Sequence, residues 1–345
     1  MTTTYRAYEI TSPGKFAPVV RPLVEPGPGQ VRLRVEACGV CHTDSVTVDG
    51  QFPGLTLPRV PGHEVIGRLD AIGPDVKTRQ VGQRVGVGFF GGEDGVCESC
   101  QRGDFINCIN PIINGVTIDG GYAEVMIAQA RATVAIPDEL SSVDAAPLLC
   151  TGVTTFNALR NAGIRTGGLV AVQGIGGLGH LGIQFARRMG FRTVAIGLGA
   201  DGAPLAKRLG AHLYIDGEVD NPGSRLQQLG GAQAILATAP SGKAMSVVVK
   251  GLAVRGKLLV IGLAADPLAI DTLSLVSGMR SISGSLTGSA IDEQDTLEFS
   301  VLEGIRPMVE TMPLSKAPEA YARMLSAKAR FRMVRVTDTG SDSWA

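Results

Sequence analysis

Residues Gly168–Gly190 read GLVAVQGIGGLGHLGIQFARRMG. A compact apolar run, Gly168 to Val172, leads at once into glycines at 174, 176 and 179 in the spacing GxGxxG, with Gly177 among them. A run from Leu181 to Met189 then reads as a helix. Strand, glycine turn and helix in this order suit a dinucleotide. The glycines permit a tight turn and close approach to a pyrophosphate, and the helix start aims amide donors at it. GxGxxG alone is a weak signal, because glycine-rich turns are common, and its place between a strand and a helix is what strengthens it.

Towards the carboxyl end, apolar segments recur at Thr193–Ile196, Ala234–Ala237 and Lys257–Gly262. Strands alternating with helices indicate an α/β fold with a parallel, doubly wound sheet. An acid about twenty positions past the glycines would bind the ribose hydroxyls of NAD, yet that position is Gly197. Its absence removes the usual repulsion against a 2′-phosphate and leans the reading towards NADP. The following Leu198-Gly199-Ala200-Asp201-Gly202 supplies no basic clamp, and Asp201 could bind ribose or face water, so NAD stays open.

Towards the amino end the first 150 residues are rich in Gly and Pro, with β-like runs at Gln30–Ala37, Gly82–Phe90 and Tyr122–Ala128. The tail from about Met308 holds a helical stretch, Ala317–Ala327, and a strand-like run, Arg332–Val336, expected to rejoin the first domain. The division expected is a β-rich catalytic domain over 1–149, a dinucleotide domain over 150–290 and a return segment over 291–345.

Composition narrows the partners. Across 345 residues, Lys plus Arg and Asp plus Glu both number 32, so no net field exists to hold nucleic acid or an anionic membrane. No apolar segment is long enough to span a bilayer, and the start MTTTYRAYEI is not a signal sequence, so a cytoplasmic protein with a small-molecule partner is expected. In a reducing compartment the six cysteines would be thiols, metal ligands or catalytic groups.

Five of those cysteines lie within the first 108 residues, and ACGVCHTD and PGHEVIG bring Cys41, Asp44, His63 and Glu64 into view. Cys150 stands at the join of the two regions. One His with two Cys suits catalytic Zn²⁺ and leaves a position open for a substrate oxygen. Zinc polarises that oxygen, so that an alcohol loses its proton more readily and the alkoxide donates hydride to the cofactor. Cys38 reads as a small core residue.

The strings GVCHTD and GHEVIG, ahead of a dinucleotide fold, closely resemble the zinc alcohol dehydrogenases of the medium-chain dehydrogenase/reductase superfamily, from about Gly27 through Arg332. The resemblance implies a GroES-like β domain followed by a Rossmann domain, with the active site in the cleft between them, and a homodimer or homotetramer. It implies Cys41, His63 and Cys150 as catalytic-zinc ligands, Glu64 as a carboxylate that approaches the metal during ligand exchange, and Asp44 as the acid orienting the ligand histidine. Thr43 matches the hydroxyl that passes on the alcohol proton. A histidine that completes this relay in close relatives is replaced by Val46, which cannot carry a proton. Arg332 and His42 match pyrophosphate contacts, Thr154 a place beside the nicotinamide, and Val48, Phe52 and Phe89 the substrate pocket. Space for an aliphatic or aromatic alcohol or aldehyde follows.

Asp94, Cys97, Cys100 and Cys108 follow the family's structural-zinc spacing, with Asp where the first cysteine usually stands. A closed Asp-Cys₃ site is the preferred reading; an empty reduced lobe and a redox disulfide are the alternatives. For the whole chain, the rivals are a zinc-free quinone or enoyl reductase of the same superfamily and a non-catalytic dinucleotide-binding protein. Neither has use for Cys41, His63 and Cys150 together.

Overall fold

A computed structural model describes residues 3–337 and divides the chain into two compact units, one of residues up to Cys150 together with those from Gly288 onward, the other Thr151–Thr287. The second unit is built on the strand Leu169–Gln173, all five residues of which are buried. Such a strand needs cover on both faces, and it sits in the middle of a six-stranded sheet whose other strands are Arg192–Gly197, Leu213–Asp216, Ala232–Ala237, Leu252–Val260 and Ser281–Gly284. Every pairing in this sheet is parallel. Arg192–Gly197 and then Leu213–Asp216 lie to one side of the central strand and Ala232–Ala237 to the other, so the chain reverses direction across the sheet at Leu169–Gln173. In open sheets of this kind ligands bind in the crevice at such a reversal, outside the carboxyl ends of the strands. The helix Gly179–Arg188 buries Leu181, Ile183, Phe185 and Ala186 and turns Arg187 and Arg188 outward in its last turn, where they also suit the helix dipole.

In the first unit the strand Gln30–Val40 is the hub of a seven-stranded sheet. Val65–Ile72 pairs along one side of it; on the other, Val125–Gln129 takes residues 30–34 and Arg332–Val336 takes residues 37–40, all antiparallel. Val309–Pro313 extends the sheet beyond Arg332–Val336. Leu33, Leu69, Tyr122 and Met333 meet in the core behind the hub, together with Cys38. The run Gly82–Phe90, read from sequence as one strand, is two: Arg84–Val87 joins this sheet, whereas Phe90–Gly92 pairs with Ile112–Ile113. The break falls at Gly88, where a Cβ would lie 1.8 Å from Glu293 Oε1, so the backbone bends around a buried side chain from the helix Ala290–Leu302. No helix among the described residues is long and apolar enough to cross a membrane.

Candidate active site

The hub strand ends at Val40 and delivers Cys41 into a single tight turn, His42–Asp44. The turn points Cys41 and Asp44 inward, leaves Thr43 half-buried and exposes His42. His63 and Glu64 immediately precede the strand Val65–Ile72, and because Val65 stands opposite Cys38 they arrive beside Cys41. Cys150 follows the short turn Ala146–Leu149. The ligand atoms of Cys41, His63, Glu64 and Cys150 all lie within 4.8 Å of one another.

Cys41 Sγ and Cys150 Sγ are 3.9 Å apart, and both thiols are free. Two thiolates at about 2.3 Å from one tetrahedral zinc would stand about 3.8 Å apart, so the spacing fits that ion. His63 fits it too. Its Nδ1 lies 3.0 Å from Asp44 Oδ1, while its Nε2 is buried without a hydrogen-bond partner. A buried ring nitrogen left bare costs on the order of 1–3 kcal/mol, and a metal there removes that cost. Glu64 Oε2 is likewise buried and unpartnered.

Electrostatics within the cluster are strongly coupled. The hydrogen bond from Cys150 draws the Cys41 thiol well below its ordinary range, and the same contact drives Cys150 up, so the pair carries one thiolate readily and a second only with added positive charge. Burial opposes a charge on His63, but Asp44 and Cys41 outweigh it and hold the imidazole well above its usual value. Burial pushes Glu64 up to about 7 against the pull of Arg332.

Two partners here were not foreseen from sequence. Arg332 donates to Glu64 Oε1 across 268 residues of chain, and the Tyr122 hydroxyl donates to Asp44 Oδ2 at 3.0 Å, beside the Cys41 amide at 3.0 Å on the same oxygen. Neither contact has a local signal; only the return of Arg332–Val336 to the hub strand creates the first. Of the residues matched to a substrate pocket, Phe89 packs edge-on against His63 with ring centroids 5.2 Å apart, and Phe52 is half-buried in a turn. Val48, on the short helix Ser45–Val48, is buried in the cluster that also holds Tyr8, Ile10 and Tyr321.

The second cluster brings Asp94, Cys97, Cys100 and Cys108 within the same 4.8 Å span. Cys97 Sγ and Cys108 Sγ are 4.0 Å apart. Asp94 Oδ1 accepts the amides of Val96 and Cys97 at 2.9 and 3.0 Å, and Oδ2 accepts Asn110 Nδ2 at 2.9 Å. The Cys97 amide bond, first among these contacts, holds the Asp94 carboxyl far below the usual range.

In the second unit Gly174 has φ +91°, a conformation open to glycine, and its amide bonds Ile196 O at 2.8 Å, tying the turn to the next strand. A Cβ on Gly179 would lie 1.8 Å from Gly174 O, so the helix approaches the strand as closely as only glycine allows. Gly176 faces open space. Bare backbone at an open glycine turn, followed by a helix start, fits a pyrophosphate. Thr154 is buried on the helix Thr151–Arg160, and Leu198 is exposed beside Gly197.

Residues 27–138 match the family model described as "Alcohol dehydrogenase GroES-like domain" and residues 177–301 the one described as "Zinc-binding dehydrogenase". The chain is 42% identical to the alcohol dehydrogenase notN of Aspergillus sp. (strain MF297-2), over 92% of this chain and 93% of that one. It is 39% identical to an alcohol dehydrogenase of Geobacillus stearothermophilus, over 92% and 93%. A cinnamyl alcohol dehydrogenase of Sorghum bicolor superposes with a TM-score of 0.88 at 26% identity, covering 98% of this chain and 100% of that one.

Proposed function

The chain belongs to the alcohol dehydrogenases of the medium-chain dehydrogenase/reductase superfamily, with a GroES-like domain and a Rossmann domain, and on that premise we propose that it is a zinc-dependent enzyme interconverting primary or secondary alcohols, aliphatic or aromatic, with their carbonyl forms at the expense of NAD(P). The observation that carries this is the set Cys41, Cys150 and His63, with thiols at zinc spacing and a bare Nε2 backed by Asp44. When bound there, zinc supplies a Lewis acid that eases loss of an alcohol proton or polarises a carbonyl.

The chain's own residues do the rest. Asp44, fixed by Tyr122 and the Cys41 amide, holds the His63 ring so that Nε2 faces the thiols. Thr43, half-buried on the same turn, would take the hydroxyl proton, and Val46 cannot pass it on. Glu64 is anchored by Arg332 through one oxygen and keeps the other free to approach the metal during ligand exchange. Arg332, which commits Nη2 to Glu64, and exposed His42 are the pyrophosphate contacts in this reading. Phe89 and Phe52 border the substrate, Thr154 the nicotinamide, and Gly174, Gly176, Gly177 and Gly179 the pyrophosphate.

Asp94, Cys97, Cys100 and Cys108 form a structural zinc site in this reading. Self-association as a dimer or tetramer draws support from the strand Ser281–Gly284, last in its sheet, and from the exposed Leu273, Val276 and Met279 just before it. Six free thiols agree with the cytoplasmic setting expected from composition.

The test is a panel of aliphatic and aromatic alcohols and aldehydes, with NAD and NADP, followed by nicotinamide absorbance while zinc content is measured in parallel. Turnover that survives full removal of zinc sinks the proposal in favour of a zinc-free reductase.

A further inference from the structure

The ends of the second and third strands of the parallel sheet are tied together where an acid for the ribose hydroxyls is expected. Gly197, where an acid for the ribose hydroxyls is expected, is not simply bare. A Cβ on it would lie 2.7 Å from Tyr214 Oη, and the same hydroxyl lies 2.7 Å from a Cβ built on Gly202. Tyr214, one strand over, therefore fills the space a side chain at 197 would need, and its hydroxyl donates to Gly199 O at 2.7 Å. A side chain at 197 would have to displace the tyrosine hydroxyl, so the glycine's lack of charge has a packing reason independent of a 2′-phosphate.

Carboxylates reach this turn from the neighbouring strand. Asp216 stands directly opposite Gly197 in the parallel register, and its Oδ1 accepts the amides of Gly199 at 2.9 Å and Glu218 at 3.0 Å. Gly217 N bonds Gly197 O at 2.8 Å, closing the two turns together. Glu218 Oε2 then lies 3.7 Å from where a Cβ on Gly199 would stand. Asp201 follows in the same turn. The basic residues of the next helix, Lys207 and Arg208, are in its last turn, at the end away from Gly202. Gly174 N, bonded to Ile196 O, ties this turn to the glycine loop.

We propose that Asp216 and Glu218, held against the Gly197–Gly199 turn, select NAD over NADP, with a carboxylate from the third strand doing the work usually given to the end of the second. The inference rests on the dinucleotide reading of this unit and reverses the lean towards NADP that the bare glycine suggests. A ribose with two hydroxyls can donate to these carboxylates, whereas a 2′-phosphate meets like charge with no guanidinium or ammonium on the turn.

The experiment is a fluorescence titration of the purified enzyme with NADH and with NADPH, at one salt concentration, for wild type, Asp216→Asn, Glu218→Gln and the double variant. Asparagine keeps an acceptor for the Gly199 amide, so the turn survives the loss of charge. Wild type is expected to bind NADH about tenfold or more tightly than NADPH, and the double variant to bring the two within about threefold, mainly by tightening NADPH. Equal or tighter NADPH binding by wild type overturns the proposal, as does a ratio unmoved in the double variant. If wild type binds neither dinucleotide, the parent reading of the unit falls and takes this one with it.

Discussion

Cys41 and Cys150 meet at the end of a sheet's hub strand, whereas Cys97, Cys100 and Cys108 sit on a lobe made of a four-residue helix and the turns around it. The buried cluster is assembled by contacts far apart in sequence: 41 with 150, and 64 with 332. The lobe closes within residues 94–110, and Asp94 spends both oxygens on neighbours in that stretch. In the buried cluster the polar atoms that matter, His63 Nε2 and Glu64 Oε2, have no partner. There the scaffold holds bare donors ready for a metal; in the lobe, a metal would hold the scaffold. The first arrangement suits chemistry and the second suits stability.

The harshest test of this contrast is His63→Ala. It is expected to lower kcat on alcohols by roughly 10³-fold or more while NADH titration still reports binding, because dinucleotide contacts belong mainly to the second unit. Near-normal oxidation by a metal-depleted variant would erase the distinction between the clusters. Asp44→Asn is milder, since it leaves the ligands and alters only what orients His63. A loss of about 10–100-fold in zinc affinity or turnover is expected, and dialysis against a graded chelator series measures it.

On the lobe the signs reverse. Cys100→Ser should remove one zinc per chain and lower the melting temperature by about 5 °C or more, with turnover per folded molecule close to wild type. Asp94→Cys should retain or tighten the metal and Asp94→Ala weaken it. Unchanged zinc content and melting temperature across all three would mean the lobe is empty.

The smallest effect separates two carboxyls. Backbone amides hold Asp94 low, whereas burial drives Glu293, packed against Gly88, well above its ordinary value; Asp292 adds to the rise and His63 opposes it. A raised folded pKa means that the folded chain keeps a proton the unfolded chain releases, so stability from this group is complete below about pH 4 and is lost as pH rises towards the folded pKa. Glu293→Gln lacks that loss. Its melting temperature should gain on wild type by a few degrees between pH 5 and pH 8, and a gap that stays constant over this range would show that Glu293 is ionised in the fold.

What could be read from sequence was what is local. Strand, GxGxxG and helix lie within 23 consecutive residues, and the parallel sheet follows from their repetition. The thiols and His63 were marked by short strings of mixed chemistry. What escaped depends on who packs against whom. Arg332 pairing with Glu64 and Tyr122 pairing with Asp44 need the sheet to exist first. Gly82–Phe90 looked like one strand because its break is imposed by Glu293 from a distant helix.

The first unit leaves the hub sheet after Cys150 and returns with Val309–Pro313 and Arg332–Val336, the second of which pairs with residues 37–40 and supplies the guanidinium beside Glu64. On a ribosome, every thiol and His63 therefore emerges well before Arg332 does. At roughly 5–20 residues per second, the nascent chain spends on the order of 10 s or more with that strand edge unpaired and Glu64 without its counter-charge. Arg332–Val336, the last strand among the described residues, ends that interval by pairing with residues 37–40.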